Sequence, residues 1–162
     1  VSRWRRNPVV QRIDGQTWRL VLAEPVRASI DRLLDQLAEL LEEAPDDPSL
    51  HRLHPTAYGE DPERDRAYQL LAGEELRTRR QATIAAVRAT LHQPGPLHAD
   101  DLWAWVQALN ALRLVLGTRL GIDDDHAEPP MPASEALEAL HEAYQFATAL
   151  QHYVVEALDA DL

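Results

Sequence analysis

The apolar positions of this chain fall into four helical stripes behind a short alternating stretch. "VVQRIDGQTWRLVLA" (9–23) alternates loosely around Asp14-Gly15. An Asp-Gly pair favours a tight hairpin turn, because glycine accepts positive φ at little cost. The pattern predicts two short strands. In "EPVRASIDRLLDQLAELLEEAP", residues Ile30, Leu33, Leu34, Leu37, Leu40 and Leu41 recur at the spacing of one helix face. Pro25 suits the first turn of that helix, and the helix should stop before Pro45.

The segment 46–62 carries Pro48, Pro55, Pro62 and Gly59, which leaves Leu50 and Leu53 to anchor one short helical turn. Helix resumes over 63–93, with Leu76, Thr83, Ile84, Val87 and Leu91 as its stripe and a break expected near Gly73. Pro94, Gly95 and Pro96 end it. Ser134 can cap a last helix running to about Leu158. Leu137, Leu140, Tyr144, Ala147, Gln151, Val154 and Leu158 share one of its faces.

The stretch "WVQALNALRLVLGTRLGI" (105–122) is different. Leu102, Trp105, Leu109, Leu112, Leu116 and Leu120 form a broad apolar face. Ala104, Ala108, Ala111 and Val115 form a second, and Trp103, Val106, Leu114 and Gly117 fill most of the rest. A helix apolar nearly all round belongs at the centre of a bundle. Asp100 and Asp101 favour its start, and Arg119 and Gly121 suit its end. The predicted fold is mainly α: a compact helical bundle around a buried central helix (about 99–121) with a short N-terminal β-hairpin. One domain spans 1–162, with 1–23 as hairpin or arm and 24–158 as bundle.

Composition narrows the chemistry. The 162 residues include no cysteine, which excludes disulfides, thiolate catalysis and cysteine metal sites. No apolar run reaches the roughly 20 residues of a membrane span, and no signal-peptide core opens the chain, so a soluble cytoplasmic protein is expected. All 16 basic side chains are arginine, and the net charge of −11 opposes generic phosphate binding. The charge is uneven: residues 1–32 sum to +4, whereas 123–162 sum to −10 without one arginine. Either the two ends neutralise each other, or the basic arm meets an acidic partner or nucleic acid.

Gln107, Asn110, Arg113 and Gly117 sit within the central helix. A buried guanidinium needs acceptors. These residues therefore read as a polar clasp pinning the 46–62 segment onto the bundle, or as a pocket in which Arg113 offers a bidentate fork to an anion. In the arm, Trp4 and Trp18 interleave with Arg3, Arg5, Arg6, Arg12 and Arg19. Such a set can stack across a hairpin or on bases.

Other constellations are weaker. His51 and His54 in "HRLH" supply two candidate metal ligands, short of the three a catalytic zinc site wants. Glu138 and His141 have Glu-x-x-His spacing, without the second motif a di-iron bundle needs. "DDDHAE" (123–128) lacks the layout of a calcium loop. No phosphate loop, nucleophile elbow or His-Glu-x-x-His occurs. No metal site or cofactor is indicated.

Three stretches carry a resemblance: "DPSLHRLHPTAY" (47–58), "ALNALRLVLGTRLGI" (108–122), and the set Tyr144, Leu150, Gln151 and Val154. In this order, over nearly the whole chain, they resemble an actinobacterial domain-of-unknown-function family, number twenty-seventeen. The resemblance implies a compact, mainly helical protein, often encoded beside the ClpS-type adaptor of the Clp protease. Some relatives are described as transcriptional regulators, and some carry cysteines suited to redox sensing, a route closed to this chain. Two departures stand out: Ala111 follows Asn110 where relatives typically have Asp, and Thr56 follows Pro55 where they often have Asp. Either change removes a candidate carboxylate partner of Arg113.

The expected function is that of a non-enzymatic regulatory or adaptor protein acting through protein–protein contacts. The alternatives are a DNA-binding regulator using the Arg/Trp arm, and a small-ligand binder or enzyme with a pocket at Asn110 and Arg113. A homodimer through the last helix is a further expectation.

Overall fold

A computed structural model describes residues 6–54, 58–122 and 134–160. Strands β1 (Val10–Arg12) and β2 (Trp18–Leu20) form an antiparallel hairpin, with Val10 opposite Leu20 and Arg12 opposite Trp18. Alternation turns Val10, Trp18 and Leu20 into the core and leaves Arg19 in solvent. The outer side of β2 is closed by Leu97, whose N–H and C=O pair with those of Trp18 at 2.8 and 2.9 Å.

The tight Asp-Gly turn does not form. Residues 13–17 make a wider loop, in which the Ile13 N–H donates to the Thr17 carbonyl at 2.9 Å. The Asp14 Oδ1 accepts the Gln16 N–H at 2.9 Å, and Arg12 donates to the Asp14 and Gly15 carbonyls at 2.9 and 2.8 Å. Side-chain bonds hold this loop, so Gly15 needs no positive φ.

Helix α1 spans Glu24–Glu43 with Pro25 in its first turn, and it buries Ile30, Leu34, Leu37 and Leu41. A 3₁₀ helix, Pro48–Leu53, follows; Asp47 caps it by accepting the Ser49 N–H at 2.8 Å, and Leu50 and Leu53 plunge into the core. Helix α2 runs unbroken from Pro62 to His92, so the break expected at Gly73 is absent. A single helical glycine costs only about 1 kcal/mol, too little to interrupt a helix with good formers on both sides. The buried residues of α2 are Ile84, Val87 and Leu91, all in its last third.

Helix α3 (Ala99–Arg119) is the hub, packed on α4 (Glu135–Asp159), on α2 and on the 3₁₀ helix. It buries Leu102, Trp105, Ala108, Leu109, Ala111, Leu112, Val115, Leu116 and Gly117. The indole N–H of the fully buried Trp105 donates to Thr90 Oγ1 at 2.9 Å, satisfying its one polar group. The end of α3 is a Schellman cap. The Ile122 N–H reaches the Gly117 carbonyl at 2.8 Å and the Gly121 N–H reaches that of Thr118 at 3.1 Å, with Gly121 at φ +72°.

The hub is not enclosed all round. Trp103, Gln107 and Asn110 are exposed along one strip of α3. The α4 stripe is also rotated from its expected line: Leu150 and Ala157 join Ala147 and Val154 as its buried residues, while Tyr144, Gln151 and Leu158 are half-buried. Among the described residues, no helix is long and apolar enough to cross a membrane.

Candidate functional site

Arg113 points from α3 towards α4. Its Nε donates to Thr148 Oγ1 at 2.9 Å and its Nη1 to Gln151 Oε1 at 2.6 Å. The Tyr144 ring lies 5.9 Å from the guanidinium carbon. Tyr144, Thr148 and Gln151 follow at i, i+4 and i+7, which puts them on one face of α4. Both acceptors are tied back in turn: Thr148 donates to the Tyr144 carbonyl at 2.8 Å and Gln151 to the Val106 carbonyl at 3.3 Å. The guanidinium is half-buried and is held by a hydroxyl and an amide oxygen. This network is a stitch between α3 and α4.

The expected cluster is therefore redistributed. Gln107 and Asn110 face solvent, whereas the Arg113 guanidinium turns to α4. Gly117 is buried for another reason: a Cβ there would lie 3.4 Å from the Tyr144 ring and 3.7 Å from Arg52 Nη1. Ala111 is buried too. Two residues from Arg113, about 200° around the helix, it points away from the guanidinium. Thr56, the other departure, lies outside the described residues.

Arg113 does not pin the 46–54 segment; Arg52 and Arg80 do. Arg52 Nη1 donates to the Ile122 carbonyl at 3.4 Å, and Arg80 Nη2 to the Leu53 carbonyl at 2.6 Å. Sequence reasoning passed over both, because an arginine on a mixed helix face carries no signal of the carbonyl it will meet. Among the described residues, His54 Nδ1 and Arg80 Nε are buried without hydrogen-bond partners. Burial, reinforced by the Arg80 and Arg77 guanidiniums, holds the His54 pKa below its ordinary value. His51 Nδ1 instead lies 2.9 Å from the Pro48 carbonyl. Among the described residues, no three His, Cys, Asp or Glu side chains converge on a metal position.

The second candidate region is the hairpin. A groove of about 720 Å³ separates it from the end of α4. Arg6, Gln11, Arg12 and Arg19 stand on the strand side, Glu156 and Asp159 on the helix side. Trp18 underlies the groove while only 4% exposed, and the Arg12 guanidinium carbon lies 6.0 Å from its ring centroid. Trp18 therefore packs as core, and the arginines are what the hairpin presents to solvent. Asn7, missed in the sequence, holds the hairpin in place. Its Nδ2 donates to the Tyr153 carbonyl at 2.7 Å and its Oδ1 accepts the Val10 N–H at 2.8 Å. The Asn7-Pro8 pair before a strand was its available signal. Arg3, Trp4 and Arg5 lie outside the described residues, as does the 123–128 acidic stretch.

The model of the family described as domain of unknown function (DUF2017) matches residues 3–158. The chain belongs to this family. It is similar to the oxidative stress regulator AosR of Mycobacterium tuberculosis H37Rv, at 27% identity over 203 residues covering 98% of this chain and 88% of the relative. The same identity and coverage hold for AosR of Mycobacterium bovis. A Mycobacterium leprae protein also named AosR is 29% identical over 199 residues, covering 99% and 89% of the two chains. No solved structure matches. This DUF2017 member contains no cysteine, so its own thiols cannot register an oxidant.

Proposed function

We propose that the chain is a non-enzymatic cytoplasmic regulatory protein that works by docking a protein partner in the hairpin groove. The observation that carries this reading is the groove's bipolar wall: Arg6, Arg12 and Arg19 on one side, Glu156 and Asp159 on the other. A segment bearing an acidic side chain towards the hairpin and a basic one towards α4 matches it. Asn7 and the Trp18–Leu97 pairing hold that wall rigid before binding, which reduces the ordering cost of association. Regulator-named relatives support the class of function. A cysteine-free member would receive any oxidant signal through its partner.

Duplex DNA is the second reading, favoured by the exposed arginines of the hairpin. The acidic wall opposite and the net charge of −11 work against it. One experiment separates the two. A photo-crosslinking side chain at Gln11 in living cells should yield a discrete protein adduct that Arg6→Glu/Arg19→Glu abolishes. An adduct unchanged by the reversals, or one made of nucleic acid together with salt-sensitive retention on duplex DNA, would overturn the docking reading.

A further inference from the structure

Leu70 and Leu71 are 77% and 85% exposed, side by side on the first half of α2. That half contributes no buried residue, and its inward side is made by half-buried positions such as Gln69, Ala72 and Leu76. This arm faces the 46–54 segment across a groove that Leu70 helps to line, and Leu70 and Leu71 remain largely in solvent. We propose that this arm pairs with the same arm of a second copy of the chain, antiparallel, about a two-fold axis near Leu70.

The charges on the arm choose that occupant. Arg64 and Arg66 precede the leucines; Glu74 and Glu75 follow them. Arg64 and Glu75 are separated by roughly three helical turns and so lie on the same flank. Arg66 lies on the opposite flank, and Glu74, about 80° round the helix from it, projects between the two leucines. An antiparallel two-fold pairing brings same-flank residues of the two copies together, one from each side of the axis. Arg64 then meets Glu75 of the partner copy, which also bridges Arg79 of its own helix at 3.1 Å, and Arg66 reaches towards Glu74 of the partner copy at the centre of the face. A parallel pairing would set like charges against like.

Two further observations agree. The chain as a whole carries −11, which repels a second copy over most of its surface, whereas 62–80 holds five arginines against four acids and is close to neutral. Arg64 is also ordered in advance. Its guanidinium carbon lies 5.2 Å from the Tyr58 ring centroid, and Tyr58 meets Tyr68 edge-on at 6.2 Å. Two half-helices bury on the order of 1,000 Å², the low end of specific interfaces, so the dimer forms at micromolar rather than nanomolar concentration. This surface is separate from the hairpin groove, and its test does not depend on the docking reading.

The absence of native cysteine makes the geometry directly readable. In the full chain, Leu71→Cys should form a disulfide-linked dimer under mild oxidation, while Thr78→Cys, well away from the axis, should not. Sedimentation at tens of micromolar should show concentration-dependent dimers. Leu70→Glu/Leu71→Glu should leave a monomer with unchanged helical circular dichroism, since both side chains are exposed. Arg64→Glu and Glu75→Arg should each weaken dimerisation about tenfold, and combining them in one chain should restore it to within about threefold. A monomer at every concentration, equal cross-linking at 71 and 78, or no rescue by the charge swap would overturn the proposal.

Discussion

Arg113 and Gln151 join the two most extensively packed helices of the molecule through a 2.6 Å bond from Nη1 to Oε1. Thr148 takes the guanidinium's other bond, and the Gln151 amide continues to the Val106 carbonyl. One cation and two neutral acceptors therefore set the register of α4 on α3, where an apolar face alone would permit sliding.

Arg113→Ala should lower stability by about 1–3 kcal/mol, the range for hydrogen bonds to a charged group whose partners are left behind. Arg113→Lys should recover only part of this, because a single ammonium lacks the planar fork that spans Thr148 and Gln151. A double-mutant cycle between Arg113→Ala and Gln151→Ala, read from urea midpoints, should give a coupling of about 0.5–1.5 kcal/mol. Additive losses would show that the two side chains do not act together.

Two groups should shape the pH dependence of stability in different windows. His54 has its pKa depressed below the ordinary 6.5, first by burial and then by Arg80 and Arg77. The unfolded chain therefore takes up that proton before the folded one, and stability falls as pH drops from 6.5 towards the depressed value. His54→Gln should flatten this window. Asp31 is depressed below 3.8, chiefly by its hydrogen bond from Arg88 at 2.8 Å. Its contribution is complete above 3.8 and is lost as pH falls further. Asp31→Asn should cost about 1 kcal/mol at neutral pH and progressively less in acid. Urea titrations across both windows test the two signs.

Two glycines should respond oppositely to the same substitution. Gly73 sits inside α2 with nothing within 4 Å of an added Cβ, so Gly73→Ala should stabilise by about 0.5–1 kcal/mol through helix propensity. Gly121 also has open space around it, but its φ is +72°, so Gly121→Ala should destabilise by about 1 kcal/mol. Thermal melts of the two variants should shift in opposite directions.

The elements were readable because their signals are local. Pro25 and Pro45 bracket α1, Asp100 and Asp101 mark the start of α3, and Gly121 ends it in the left-handed conformation that glycine tolerates. The stitch was half readable. Arg113 had to find acceptors, and the resemblance had already singled out Gln151, yet nothing along the chain joined the two. Asn110 was misleading, because its spacing from Arg113 places it on a neighbouring face that no other helix covers among the described residues.

From its order of residues alone this protein is a helical bundle behind a hairpin, built around the segment near 99–121, and without thiol chemistry. Propensity, capping and hydrophobic period suffice for that, since each acts within a few turns of chain. Only the tertiary structure decided which strip of α3 meets water, that Arg113 stitches α4 while Arg52 and Arg80 hold the 46–54 segment, and that half of α2 carries its leucines outside. A helix apolar nearly all round contains no internal mark of its outward side, and a guanidinium's acceptor is chosen by whichever helix packs within its reach.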